Sequence, residues 1–332
     1  MTPTGVKRMK TTRLGKGGPE VSALGLGCAG MSLAPRNDDE ALATLDAALN
    51  GGITFLNTAD FYGMGHNEML IGRAIKGRRD QAFISVKCGL MSSPTGGFLG
   101  LDGRPEAVKN FASYSLQRLG VDVIDLYQAG RPDPAVPYAD TIGAIADLIT
   151  EGKVRYLGVS EVGAANLRLA HSIHSVTALE IEYSLVCRFI EAEILPTARE
   201  LGVGIVPYRV LADGLLSGAV TGGQLTGKRH FIAPRLEGDN LERNVATCAF
   251  ALEMARAKGI APAQLAVAWL LSRGDDIVPL VGMSKPSRLA ENTAILEILF
   301  TADELAALDS AFTPGRIVGD RYPAFVQKFA AS

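Results

Sequence analysis

Two residues in the first third of the chain carry side chains that together can deliver a proton to a carbonyl oxygen. Tyr62 follows the apolar run Thr54–Asn57, and Lys87 closes the run Phe83–Lys87. An ammonium against a phenol favours the phenolate and lowers the phenol pKa. A tyrosine so tuned is a usable proton donor near neutral pH. The pair also reads as an inward lysine bound to some acid and a tyrosine packed at a rim; spacing alone leaves both readings open. Asn57, Gly130, Ser160, Glu180, Tyr208 and Gly282 stand at the ends of this and other apolar runs. Metal chemistry has no comparable signal. Cys28, Cys88, Cys187 and Cys248 are widely spaced, with no Cys-x-x-Cys or Cys/His pattern, which speaks against zinc and for a reduced, cytoplasmic compartment. His171 and His174 lie at helical i, i+3 spacing without a third ligand and read as a surface helix.

Elements that would bring these residues together recur along the chain. Eight short apolar runs read as strands buried on both faces: Ala23–Gly27, Thr54–Asn57, Phe83–Lys87, Val123–Gln128, Arg155–Ser160, Ala178–Ile181, Gly204–Tyr208 and Ile277–Val281. Helical patterns separate them, such as Asp38–Asn50 and Asp140–Thr150. Eight alternating units predict an α/β fold, the (β/α)8 TIM barrel, with its active site at the C-terminal strand ends. Thr12–Leu14 and Glu20–Val21, joined by a Gly-rich turn, predict a β-hairpin at the barrel bottom. Gly25-Leu26-Gly27-Cys28-Ala29-Gly30 matches a dinucleotide fingerprint literally, but that fingerprint needs its last glycine at a helix start. Pro35 and Asn37 delay the helix to about Asp38. The longest interval, between strands seven and eight, holds a Gly-rich loop, Gly214–Gly227, then a polar stretch to Asn244, then a helix around Val245–Lys258. Such a loop is a candidate lid.

Composition sets the outer limits. The 332 residues carry 33 Lys+Arg against 35 Asp+Glu, so no broad basic field exists for nucleic acid. At 47 % hydrophobic and 20 % charged the chain is globular, not disordered. No apolar run of transmembrane length occurs, so no membrane partner is expected. The basic start lacks the apolar core of a secretory signal. Met9 opens a more ordinary beginning, and residues 1–8 read as an extension of one barrel domain spanning 1–332.

Several ordered motifs carry a resemblance. Thr58-Ala59-Asp60-Phe61-Tyr62-Gly63, Ser85-Val86-Lys87, Asp122–Gln128, Gly152–Ser160 and Leu289-Ala290-Glu291-Asn292, ending in Gly319-Asp320-Arg321-Tyr322-Pro323, resemble the aldo-keto reductase superfamily from Met9 to about Tyr322. The likeness is to its microbial single-barrel branch. It implies reduction of aldehydes and ketones with NADPH by a tetrad of Asp, Tyr, Lys and His. Tyr62 matches the proton donor and Lys87 its partner. Asn57 stands where the family has Asp, and Gly130 where it has His. Asn57 brings no charge, so Lys87 is expected to lose its ion pair and tend toward neutrality. Gly130 removes a donor and is expected to leave space for a bulkier substrate. Asp60, Arg131 and Glu180 are the candidates for compensation, each reading first as structural or solvent-facing.

On the cofactor side the resemblance implies Gly27, Cys28 and Met31 after the first strand, and Ser160 on the nicotinamide carboxamide. Glu161 replaces the usual Asn beside it. Glu180 replaces a Gln, accepts from the carboxamide without donating, and by its charge would favour the oxidised ring. Tyr208 would stack on the nicotinamide. Arg209, Leu211, Gly214, Leu216 and Gly218 match the pyrophosphate loop. Gly282, Ser284, Lys285, Arg288, Glu291 and Asn292 match the adenosine 2′-phosphate site, favouring NADPH over NADH. Phe61, Met31, Met91 and the Gly214–Asn244 interval are expected at the pocket rim. The small-molecule partner expected is a carbonyl compound. Two alternatives stay open: hydride transfer to an imine or conjugated double bond, and a nicotinamide-binding sensor or subunit with vestigial catalysis.

Overall fold

A strand buried on both faces needs apolar side chains outward and a second set inward that fits the barrel bore. In the computed structural model eight such strands pair in parallel. They are β3 (Gly25–Gly27), β4 (Phe55–Ala59), β5 (Phe83–Cys88), β8 (Ile124–Ala129), β9 (Val154–Ser160), β10 (Val176–Glu182), β11 (Gly204–Tyr208) and β14 (Leu280–Gly282). The order around the sheet is β11-β10-β9-β8-β5-β4-β3-β14. A parallel bridge from Ile205 to Ile277 brings the two edges together, so the sheet closes as a (β/α)8 barrel. The structure describes residues 9–33, 35–221, 224–225, 233–283 and 285–331. The expectations for residues 1–8, for Ser284 and for residues 222–223 and 226–232 of the long loop fall outside them.

Helices wrap the barrel: α1 (Asp38–Asn50), α2 (His66–Ala74), α3 (Pro105–Leu119), α4 (Tyr138–Thr150), α5 (Ala164–Ile173), α6 (Ile194–Leu201), α7 (Gly238–Ala257), α8 (Pro262–Leu271), α9 (Arg288–Ala294), α10 (Ala302–Ala311) and α11 (Ala324–Gln327). The start of α1 follows from its residues. Asn37 Oδ1 accepts from Glu40 N–H at 3.1 Å, and three acidic residues face the positive helix end. Gly25–Gly27 is barrel strand, so the dinucleotide-like glycines serve the barrel. A Cβ at Gly25 would meet Leu280 Cδ2 at 2.7 Å.

The bottom is plugged by the hairpin β1 (Thr11–Arg13) and β2 (Glu20–Ser22). Leu14 and Val21 pack into the bore with Phe55, Phe83, Leu126, Ala178, Val206, Val278 and Leu280. Short antiparallel pairs decorate the top: β6 (Leu90–Ser92) with β7 (Phe98–Leu101), and β12 (Val220–Thr221) with β13 (Gln224–Leu225).

Most strand ends shift by one or two residues from the sequence reading, and three differences have a physical reason. The eighth strand begins at Leu280, because Pro279 has no N–H for the ladder; its carbonyl still accepts from Gly25. The helix expected from Val245 begins at Gly238, and its polar first turns are used. Asn244 donates to Arg235 O and Val318 O, and accepts from Val318 N–H. The β6–β7 hairpin was not expected, since its Gly- and Ser-rich turn interrupts any period-two pattern.

Candidate active site

The two-residue period of each strand carries polar groups to the mouth in order. Inward positions on β5 run Phe83, Ser85, Lys87; on β4, Phe55, Asn57; on β8, Leu126, Gln128; on β10, Ala178, Glu180, Glu182. The apolar members fill the bore, and the polar ones meet above them. Lys87 Nζ donates to Asn57 Oδ1 at 2.7 Å and to Thr58 O at 3.1 Å. It also lies 2.9 Å from Glu180 Oε1 and 3.1 Å from Oε2. Asn57 Nδ2 and Gln128 Nε2 each donate to Glu180 Oε2 at 2.7 Å, and both also donate to Ser85 Oγ. All five side chains are buried. Lys87 Nζ sits 5.3 Å from the centroid of the Tyr62 ring.

The expectation that Lys87 lacks an ion pair is therefore overturned. Its carboxylate comes from across the barrel, on β10. Burial opposes the ammonium, but Glu180 and the Tyr62 phenol outweigh it, and the Lys87 pKa lies above its ordinary value. The expected lowering of the Tyr62 pKa is also corrected. Burial raises it, Glu180 adds to the rise, and the opposing charge and hydrogen bond of Lys87 do not offset them. Tyr62 is thus a neutral, proton-bearing phenol at physiological pH.

Gly130 does not leave space. A Cβ there would lie 2.7 Å from Leu90 Cδ1, 3.1 Å from Cys88 O and 3.7 Å from Phe61 Cε1. Leu90, which opens the β6–β7 hairpin, fills the position together with the Cys88 carbonyl, and Phe61 lies beside them. Of the three candidates for compensation, Glu180 reaches Lys87. Asp60 sits in a separate buried cluster with Glu68 and Arg118, its pKa pushed up to about 8 by burial and by Glu68. Arg131 folds back over the end of β8. Its Nη1 donates to Gly130 O at 2.6 Å and to Ser160 Oγ at 3.4 Å. Its Nη2 donates to Tyr208 OH at 3.3 Å and to Tyr322 OH at 3.2 Å.

Behind Ser160 lies a charged lattice. Glu161 accepts a fork from Arg321 at 3.2 and 3.0 Å, a bond from Tyr208 OH at 2.8 Å, and the N–H of Ala331 at 3.3 Å. It holds φ at 51°, a conformation non-glycine residues take only when their surroundings fix it. Tyr208 and Tyr322 share a short hydroxyl–hydroxyl contact. Arg209 is committed to Glu182 at 3.6 Å and Asp213 at 3.3 Å, and Arg235 to Glu182. The residues after α10 thus run up to the mouth, where Phe329 meets Phe98 of the β6–β7 hairpin at 6.0 Å.

The other expected cofactor residues fall at the same end. Ser160, Leu216 and Glu180 are buried; Tyr208 and Leu211 are half-buried. Gly214 and Gly218 turn the loop after β11 with positive φ. Cys28 and Met31 are buried in the outer core; burial pushes the Cys28 thiol up to about 12, so it is inert. Among the described residues beyond the chain neighbours, no atom comes closer than 3.8 Å to where a Cβ on Gly27 or Gly282 would be, and Lys285 and Arg288 are exposed. Arg288 pairs with Glu291 at 2.7 Å, while Asn292 Nδ2 is buried without a hydrogen-bond partner among the described residues. Sequence reasoning missed the roles of Ser85, Gln128, Glu182, Arg235 and Arg321. Strand alternation alone would have set Ser85 and Gln128 beside Asn57. Nothing local would have brought Arg321 to Glu161. Among the described residues no group of three or more His, Cys, Asp or Glu side chains is placed to hold a metal, and no helix is long and apolar enough to cross a membrane.

A family model described as the aldo/keto reductase family matches residues 23–312. A Glycine max protein named "Probable aldo-keto reductase 1" is 38 % identical over 322 residues, 95 % of this chain and 92 % of the relative. Among solved structures, a glycerol dehydrogenase of Gluconobacter oxydans superposes with a TM-score of 0.83 at 27 % identity, covering 95 % of this chain and 98 % of the other. An aldo/keto reductase of Klebsiella pneumoniae, in complex with NADP and acetate, gives 0.74 at 26 % identity over 95 % and 99 %.

Proposed function

The chain belongs to the aldo/keto reductase family and is an NADPH-dependent oxidoreductase, and from that premise we propose that it reduces an aldehyde or ketone with Tyr62 as proton donor. The observation that carries this reading is the ammonium of Lys87, held charged by Glu180 and aimed at the Tyr62 ring. A pure nicotinamide-binding subunit has no use for that pairing.

The residues present fit the dinucleotide. Tyr208 offers a ring face at the end of β11, and the loop through Gly214 and Gly218 offers backbone N–H groups. Lys285, Arg288 and the amide of Asn292, which has no hydrogen-bond partner among the described residues, offer charge and donors for a 2′-phosphate. When bound, the dinucleotide supplies a hydride at the nicotinamide C4. Tyr62 O–H hydrogen-bonds the substrate carbonyl oxygen and gives it the proton as charge develops there. Lys87 stabilises the phenolate that remains. Asn57, Thr58 O and Glu180 fix Lys87 so that little reorganisation accompanies the step. Leu90 and Phe61 keep water from the face that the family's histidine would occupy.

NADPH oxidation is to be followed against a panel of aldehydes, ketones, imines and enones, with cofactor binding confirmed in the same sample. The expected result is turnover of a carbonyl, reduced about 10²–10⁴-fold in Tyr62→Phe with NADPH still bound. Tight NADPH binding with no carbonyl turned over would overturn the reading.

A further inference from the structure

Glu161 stands next to Ser160 at the end of β9, where the family resemblance implies an Asn and a contact to the cofactor. Its carboxylate has no capacity left for one. A carboxylate offers about four acceptor sites. Oε1 already accepts from Arg321 Nη1, Tyr208 OH and the Glu182 N–H, and Oε2 from Arg321 Nη2 and the Ala331 N–H. The group is buried and ionised. Burial opposes its charge, but Arg131, Arg321 and the hydrogen bonds outweigh burial and hold its pKa below the ordinary value. The backbone is fixed as firmly. The Glu161 N–H donates to Glu180 O at 3.0 Å, and the residue keeps a φ of 51°.

What this carboxylate holds is the segment 321–331. Arg321 opens it and Ala331 closes it, and Glu161 accepts from both. Arg321 Nη2 also donates to Ala331 O, so the two ends meet in one closed loop. Between them Tyr322 OH touches Tyr208 OH, and Phe325 and Phe329 lie 6.3 and 6.0 Å from Phe98 of the β6–β7 hairpin. The loop walls the mouth from the end of β11 to that hairpin. Arg321 has secondary support from Glu182 at 3.5 Å and from the Phe189 ring at 4.2 Å. Glu161 is the side chain that both ends of the loop share.

We propose that Glu161 is a positioning residue, a latch that seats the segment 321–331 as one wall of the substrate site, and not a contact to the cofactor. Its effect on turnover rests on the carbonyl-reductase reading above; the latch itself does not. The test compares Glu161→Asn, Arg321→Gln and the double variant with the unaltered protein. Asn tolerates positive φ well, so Glu161→Asn removes the latch without adding backbone strain. The first readout is amide hydrogen exchange, which needs no substrate. Exchange across 321–331 should be at least about tenfold faster in Glu161→Asn, with the amides of β5 and β8 unchanged as the control for global loosening. The second is kinetic. KM for the carbonyl should rise at least about tenfold, while kcat and the Kd for NADPH stay within about threefold. Arg321→Gln should act in the same direction, and the double variant should show less than the sum of the two, because both break one contact. Unchanged exchange across 321–331 in Glu161→Asn overturns the proposal. So does a change in the Kd for NADPH with KM for the carbonyl unaltered, which would make Glu161 a cofactor contact, or strict additivity in the double variant. If the unaltered protein reduces no carbonyl, the reductase reading fails separately. Exchange then decides the latch alone: faster exchange across 321–331 supports it, and unchanged exchange overturns it.

Discussion

Glu180 Oε1 stands 2.9 Å from Lys87 Nζ, joining strand β10 to strand β5 across the barrel. The family resemblance implies the opposite arrangement, a carboxylate at position 57 and an amide at 180. Here amide and carboxylate have changed places, and because Asn57 Nδ2 touches Glu180 Oε2 directly, the lysine sees the same net charge from another side.

Glu180→Gln is expected to leave a buried ammonium uncompensated. Losing one partner of such a pair costs about 3–5 kcal/mol of stability. It also removes the largest influence that raises the Lys87 pKa, so Lys87 should lose its proton at lower pH and the alkaline limb of kcat/KM should move down. The double variant Asn57→Asp with Glu180→Gln returns a carboxylate to within 2.7 Å of Nζ and should restore most of the rate and the original limb. A pH profile identical in all three proteins would remove Glu180 from the mechanism.

Installing the family's histidine by Gly130→His should not raise activity. Its Cβ meets Leu90 Cδ1 and the fixed carbonyl of Cys88, and overpacking of this kind costs about 1–3 kcal/mol. Thermal melting should show the loss, and adding Leu90→Ala should recover part of it. An unchanged melting temperature in the single variant would mean that the hairpin yields freely.

Asp60 introduces a pH dependence of stability with an unusual sign. Burial pushes its carboxyl pKa up to about 8 when folded, against an ordinary value of 3.8, and its Oδ1 is buried without a hydrogen-bond partner among the described residues. The folded protein therefore binds a proton that the unfolded chain releases. The contribution is fully present below about pH 4 and is lost as pH rises toward 8, with a slope of at most about 1.4 kcal/mol per pH unit. Asp60→Asn should flatten that slope and be the more stable protein at pH 8. Urea midpoints at pH 5 and pH 8 decide it; parallel lines for the two proteins would rule the assignment out.

Leu14→Ala removes the plug side chain from the bottom of the bore. A fully buried leucine so truncated costs about 2–5 kcal/mol. The cavity lies at the far end of the strands from Lys87, so the Kd for NADPH is expected to stay constant while the melting temperature falls. A weakened Kd would show that the bore transmits strain along its length.

Much of the barrel could be read from the chain, because strands buried on both faces leave uninterrupted apolar runs. Lys87 stood out for the same reason, at the end of one such run, and Tyr62 because it follows another shortly after. Pairing Lys87 with Glu180 was not, since the partners are 93 residues apart and meet only through the curvature of the sheet. Gly130 misled because a missing side chain in sequence looks like a hole. Whether it is one depends on Leu90, in a hairpin with no periodic signature. Arg321 and Ala331 reach Glu161 through a turn at Gly319, where any Cβ would fall 2.7 Å from the Arg235 backbone; sequence shows that glycine but not what crowds it.

The two described ends of the polypeptide lie at opposite poles of the barrel. Met9 leads into the hairpin beneath the bore, whereas Ala331 gives its N–H to Glu161, next to Ser160. A purification handle, fusion partner or solid support joined ahead of Met9 hangs on the face remote from the chemistry. The same attachment made after Ala331 pulls on a residue that the mouth itself holds in place. Immobilised preparations of this protein would then differ in turnover according to which end was anchored.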